Sequence, residues 1–149
     1  MFDINIVNNF NDDISTENKL IQTLIEKLLS DHKIFQGSVS IILSNKMLLN
    51  KLKMDYFGLN QFTDVIAFNL EDKNEPLEGE IYISIDDIIE NAKKYKVSVN
   101  EEFKRVLIHG TLHLIGFEDK NKTLKDQMTE LENNYMSIFK YDIISHNNK

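Results

Sequence analysis

Residues 98–115 read as a helix whose second half is apolar nearly all the way round, and this constrains the fold more than any other segment. Phe103, Val106, Leu107, Ile108, Leu112, Leu114 and Ile115 leave it little surface to offer water. A helix of that kind is buried on most sides rather than laid on a surface, so other layers must enclose it. Ser98 and Glu101, at capping-box spacing, open it. His109 and His113 ride on it four residues apart, which puts both imidazoles on one face. Burial disfavours charged histidine, and neutral imidazole is the form that ligates metal.

The enclosing layers are legible from periodicity. Phe2, Ile4 and Ile6 alternate with polar residues, as do Val39, Ile41 and Leu43, and Ile81, Ile83 and Ile85; each set predicts a strand. Residues 65–70 are more continuously apolar, the pattern of a strand covered on both faces. Helical stripes run through Leu20, Ile21, Leu24, Ile25, Leu28 and Leu29, and through Leu124, Met128, Leu131, Tyr135 and Ile138. Thr123 and Asp126 form a capping pair for the second stripe. Shorter helices are predicted over 46–54 and 87–95. The order β-α-β-α-β-β-α-α-α implies an α/β (α+β) fold, a single layered domain with a mixed four-stranded sheet flanked by about five helices. Its 149 residues are a single-domain length, expected as one metal-dependent hydrolase-like domain over 1–144 and a frayed tail over 145–149. Glu71 to Gly79, with the only proline, reads as an exposed acidic connection.

After the second histidine come Gly116 and then Asp119, so residues 109–119, HGTLHLIGFED, carry donors at positions 1, 5 and 11. That is the spacing of the H-E-x-x-H-x-x-G-x-x-H zincins, in which the glycine turns the chain so that a third donor reaches the ion. The residue-level alternative is a pair of core histidines bonded to backbone carbonyls. Against it stand the second histidine, the glycine and the carboxylate, and the expected ligand set is His109, His113 and Asp119, with Glu118 as rival third ligand. Two histidines and one carboxylate suit a divalent ion, zinc by preference, and leave a position open for water or substrate. Gly110 stands where zincins place their glutamate, which removes ordinary peptidase chemistry and leaves room for a backbone or substrate to approach. The general base then falls to Asp64, Glu118 or the ion's own hydroxide. His32 and His146 read as solvated surface residues.

Composition sets outer bounds. There are no cysteines, so disulfides and thiolate metal sites are excluded, in keeping with a cytoplasmic location. No run approaches roughly eighteen apolar residues, and the start lacks a signal-peptide pattern, so no membrane association is expected. The net charge of −7 gives no basic footprint for nucleic acid, and of 17 basic residues only Arg105 is an arginine. Contact with phosphate would have to come from a local cation or a bridging metal.

Residues 109–117, HGTLHLIGF, resemble the H-G-x-L-H-L-x-G-Y-D-H signature of the YbeY family. Residues 63–68, TDVIAF, resemble its T-D-V-L-S-F strand, and 79–84, GEIYIS, its G-D-I-x-I strand, followed by a similar Glu90-Asn91-Ala92. Order and spacing agree from about residue 40 to 120. The resemblance implies a mixed sheet flanked by helices with a metal at one end. It also implies a metal-dependent, single-strand-specific endoribonuclease in rRNA maturation (16S rRNA 3′ end processing) and ribosome quality control, with rRNA and ribosomal particles as partners and no DNA. Two positions depart from the family. Asp119 replaces its third histidine, and Phe57 stands where it carries an arginine thought to serve RNA processing. Phosphate binding then falls to Lys51, Lys53 or Arg105, with Thr63 shaping the pocket. The alternatives are a non-catalytic ribosome-assembly factor with a structural metal and a metal-dependent hydrolase of another substrate.

Overall fold

A computed structural model describes residues 1–11, 13–61 and 63–146. In chain order the elements are β1 (Phe2–Asn8), β2 (Ile14–Thr16), α1 (Asn18–Asp31), β3 (Gly37–Ser44), α2 (Lys46–Phe57), β4 (Val65–Asn69), β5 (Leu77–Ser84), α3 (Ile85–Tyr95), α4 (Val99–Leu114), α5 (Lys122–Ile138) and β6 (Ile144–His146). The main sheet has the order β1-β3-β5-β4. β1, β3 and β5 run parallel, and β4 returns antiparallel on β5. The mixed four-stranded sheet and five helices agree with the sequence reading. No helix among the described residues is long and apolar enough to cross a membrane.

β3 and β5 occupy the middle of the sheet, and Val39, Ile41, Ile81 and Ile83 on them are fully buried. β4 is an edge strand, yet it is covered on both faces, as its apolar run predicts. Val65 and Ala67 share a face with Ile83 and Ile81, against α4, while Ile66 and Phe68 point the other way beside Tyr82 and Glu80. On that second face Tyr56 and Phe57 at the end of α2 meet Phe68.

α4 is the enclosed helix that the apolar pattern demands. It touches β4, β5, α1, α3, α5 and β6. Ser98 caps it, accepting from the Glu101 amide at 3.0 Å. Its approach to the sheet is close at two glycines. A Cβ at Gly110 would lie 2.7 Å from Val65 Cγ2 and 3.1 Å from Ile81 Cγ2, and one at Gly79 would meet the Leu114 methyls at 2.6 and 2.7 Å. Gly110 therefore seats the helix on the sheet, and the room left by its missing side chain is taken by Val65 and Ile81, not by substrate.

Three local expectations are corrected. α5 is capped by Asn121, whose side chain accepts from the Leu124 amide, and not by Thr123 with Asp126, which instead pairs with Lys122. The buried face of α5 carries Met128, Glu132 and Tyr135, while Ile138 is exposed. The chain end is also more ordered than expected, because Ser145 and His146 belong to β6 and pair with Ser15 and Ile14 of β2; residues 147–149 lie outside the described residues. Two buried side chains of α4 hold this ribbon in place. Asn100 Oδ1 accepts from the Ile143 amide at 2.7 Å, and Lys104 Nζ donates to the carbonyls of Phe139 and Tyr141, both at 2.6 Å. Burial holds the Lys104 ammonium below its ordinary range, with Asp142 and Glu101 pulling the other way.

Candidate metal centre

The last two turns of α4 present His109 and His113, both half-buried, with their Nε2 atoms 3.0 Å apart. Gly116, at φ +106, lets the chain reverse beyond the helix, a conformation that costs other residues strain. The reversal is closed by Phe117 N donating to Leu112 O at 3.0 Å. It brings Asp119 back so that Oδ2 lies 3.6 Å from both imidazole Nε2 atoms. The three residues form a group whose donor atoms all fall within 4.8 Å of one another. Glu118 points elsewhere and pairs with Lys120 at 3.3 Å.

The outer nitrogens decide what the inner ones can do. His113 Nδ1 lies 3.0 Å from Phe117 O, and a carbonyl can only accept, so the proton sits on Nδ1. His109 Nδ1 lies 2.6 Å from Glu132 Oε2, again an acceptor when ionised. Both neutral rings therefore aim a lone pair inward, beside a carboxylate oxygen. Two donors at zinc–nitrogen distance and tetrahedral angle would be about 3.3 Å apart, close to the spacings of 3.0 and 3.6 Å found here. The donor set fits a divalent cation.

Without a cation the two rings differ in their hold on a proton. Burial opposes charge on His109, but the Glu132 hydrogen bond and charge, then Asp119 and Asp64, raise its pKa above the ordinary histidine value. His113 is lowered, first by burial and then by the charge on His109. When the pair takes up a proton, His109 is the ring that holds it first.

Glu132 is the residue that the sequence reading missed. It is buried on α5, and its second oxygen, Oε1, lies 3.4 Å from Arg105 Nη1. A carboxylate between Met128 and Tyr135 at helical spacing, on the face turned to the core, was the available signal. Arg105 is accordingly engaged with Glu132 through one of its guanidinium nitrogens.

A cleft lies on either side of the donors. One, of about 430 Å³, is lined by His109, Asp64, Glu102, Arg105 and Glu132. Asp64 precedes β4, and burial pushes its carboxyl pKa up, with His109 drawing it down. The other, of about 500 Å³, is lined by His113, Asp119, Glu118, Thr63, Lys53 and Phe57. Thr63 Oγ1 donates to Val65 O, which fixes the approach to β4. Lys51 pairs with Asp55 on an exposed helix face. His32 is not solvated: its Nδ1 bonds Leu28 O at 2.9 Å, and its ring meets Phe117 edge-on at 5.3 Å. His146 is half-buried in β6.

Residues 5–140 match the family described as Endoribonuclease YbeY. The chain belongs to that family. It is 37% identical over 123 residues to the Endoribonuclease YbeY of Chloroherpeton thalassium, covering 82% of this chain and 86% of the relative. The Karelsulcia muelleri protein of the same name is 41% identical over 114 residues, covering 76% and 79%. The solution structure of TM1509 from Thermotoga maritima superposes with a TM-score of 0.58 at 28% identity, over 92% of this chain and 91% of that one. The resemblance read from residues 63–68, 79–84 and 109–117 is thereby borne out.

Proposed function

We propose that this chain cuts single-stranded RNA at the His109–His113–Asp119 centre, as a zinc-dependent endoribonuclease of rRNA maturation acting on ribosomal particles in the cytoplasm. Endoribonuclease activity goes with the family to which the chain belongs. One observation carries the metal: two imidazoles locked by Phe117 O and Glu132 into the tautomer with inward lone pairs, beside Asp119 Oδ2 at 3.6 Å. A bound divalent ion would polarise a phosphoryl oxygen and acidify water.

The chain's own groups supply the rest. Asp64, in the cleft beside His109, has a carboxyl whose pKa burial raises, with His109 drawing it down, which suits a group that takes a proton and returns it. Lys53 lines the opposite cleft and can meet a phosphate entering there, while Thr63, its hydroxyl donated to Val65 O, shapes the wall. Glu132 and the Phe117 carbonyl hold the imidazoles in place. No carboxylate stands after the first histidine, and the Gly110 position is packed against the sheet, so the peptidase arrangement has no base.

The test is cleavage of a single-stranded rRNA 3′ fragment by purified protein, with metal content measured in parallel. Cleavage should vanish on chelation and in His113→Ala. Metal should fall from about one ion to none in Asp119→Ala and stay in Glu118→Ala. An undiminished rate from fully metal-stripped protein would overturn the reading.

A further inference from the structure

Beside the donors, across the β4 edge, the chain exposes a group of aromatic rings that the chemistry above does not use. Phe57 stacks on Phe68 with ring centres 5.8 Å apart and planes 13° from parallel, and Tyr56 meets Phe68 edge-on at 5.3 Å. Tyr82 supports Phe68 from beneath at 5.9 Å. Phe57 is 49% exposed and Tyr56 70%, although Phe68 and Tyr82 are half-buried. Exposed flat rings backed by half-buried ones form a surface suited to a partner.

Three features say what the partner is. Phe57 lines the same cleft as His113 and Asp119, so whatever lies on the ring is continuous with what reaches the donors. Lys53 Nζ sits over the Phe57 ring, 5.1 Å from its centre, so a cation covers the platform and must swing aside before a base can lie there. On a chain of net charge −7, Lys53 is the one lysine among the described residues lining this cleft. A flat apolar ring, an adjacent ammonium and a metal donor set in one groove match a nucleotide's base, phosphate and scissile bond. Single-strand binders combine stacking rings with cations in the same way.

We propose that Phe57 is a stacking platform for a nucleobase of single-stranded RNA, with Lys53 turning from the ring to the neighbouring phosphate. The inference rests on the endoribonuclease reading and adds a binding residue to it. Stacking tolerates any base, because every base has a π-face, so the subsite selects for unpaired nucleotides and not for sequence. A base locked in a duplex cannot lie on the ring.

The chain has no tryptophan, so Phe57→Trp introduces a single indole as reporter. Metal-loaded protein is titrated with a 2′-O-methyl phosphorothioate oligoadenylate, a backbone that slows attack by water as well as by the 2′-hydroxyl, and with an abasic oligomer of the same backbone and length. Saturable quenching by the oligoadenylate and none by the abasic chain is expected. The unsubstituted protein should bind the abasic oligomer on the order of tenfold more weakly, Phe57→Leu should lose about as much for the oligoadenylate, and Phe57→Tyr should keep its affinity. The abasic comparison needs no variant and so stands even if Phe57→Leu folds poorly. Equal affinities across these pairs, in a protein that binds and cuts RNA, overturn this inference alone. Failure of the unsubstituted protein to bind either oligomer overturns it together with the endoribonuclease reading.

Discussion

Glu132 Oε2 lies 2.6 Å from His109 Nδ1, so a carboxylate from α5 sets the tautomer of a donor on α4. The same side chain faces Arg105 through its other oxygen. Such outer partners fix ring orientation and raise ligand basicity, and losing one typically weakens metal binding by about 10–100-fold. Glu132→Ala should therefore bind metal that much more weakly, and Glu132→Gln, which keeps an accepting oxygen but not the charge, should lose less. Competition with a chromophoric chelator measures both. Unchanged affinity in Glu132→Ala would show that His109 needs no support from α5.

Gly110→Ala tests the claim that the missing side chain serves packing. The added methyl would lie 2.7 Å from Val65 Cγ2, a stiff branched side chain, and 3.1 Å from Ile81 Cγ2. Overpacking of this kind costs about 1–3 kcal/mol, to be read from thermal or denaturant unfolding. Gly110→Glu restores the zincin sequence and should produce an unfolded or badly weakened protein, not a peptidase. A stable Gly110→Glu variant would disprove the close seating of the helix.

These two cases mark where sequence reasoning holds and where it ends. α4 was legible because its cap, its apolar run and its histidine pair are local to one helix. Asp119 was legible because Gly116 acts within the same short turn. The purpose of Gly110 was not, since spacing along a helix does not reveal what lies across from it. Residues 65–70 were legible as a strand covered on both faces but not as a sheet edge, because the cover on one face comes from Tyr56 and Phe57, outside the strand itself. β2 and β6 are three residues each; the chain around β6 is held by Asn100 and Lys104, some forty positions away, and β2 joins it from the far end of the sequence, which no local pattern can show.

Proton and metal should compete at the centre. The metal-free cluster takes up a proton first on His109, whose pKa is raised by Glu132, Asp119 and Asp64 against the effect of burial. Cation binding must release it, so apparent metal affinity should fall about tenfold per pH unit below that raised value. Calorimetric titration in two buffers of different ionisation enthalpy counts the protons, and the number should rise toward about one as pH falls through that value. In metal-free protein the sign for stability follows from the same shift. Charged His109 adds stability that is fully present below the ordinary histidine value near 6.5 and is lost as pH rises through the raised one. Metal binding with no proton release even below the raised value would mean that the imidazoles are already neutral and unshared.

Asp64 should separate stability from activity. Burial raises its carboxyl pKa in the folded state, so between the ordinary aspartate value near 3.9 and the raised one the folded protein binds more protons than the unfolded chain. Stability therefore falls as pH rises through that interval, and the ionised carboxylate remains a cost above it. Asp64→Asn removes the charge, so metal-free protein should melt at a higher temperature than the unsubstituted chain at neutral pH. The difference should close below about pH 3.9, where both side chains are neutral. With metal bound the gain should shrink, because the cation's charge offsets the cost of ionising a carboxylate in the same cleft. RNA cleavage should move the other way and drop on the order of 10²–10⁴-fold, the usual loss when a general base is removed. Melting curves across pH and single-turnover cleavage on the same preparation decide the matter. A variant that is both less stable at neutral pH and fully active would show Asp64 to be an ordinary structural carboxylate.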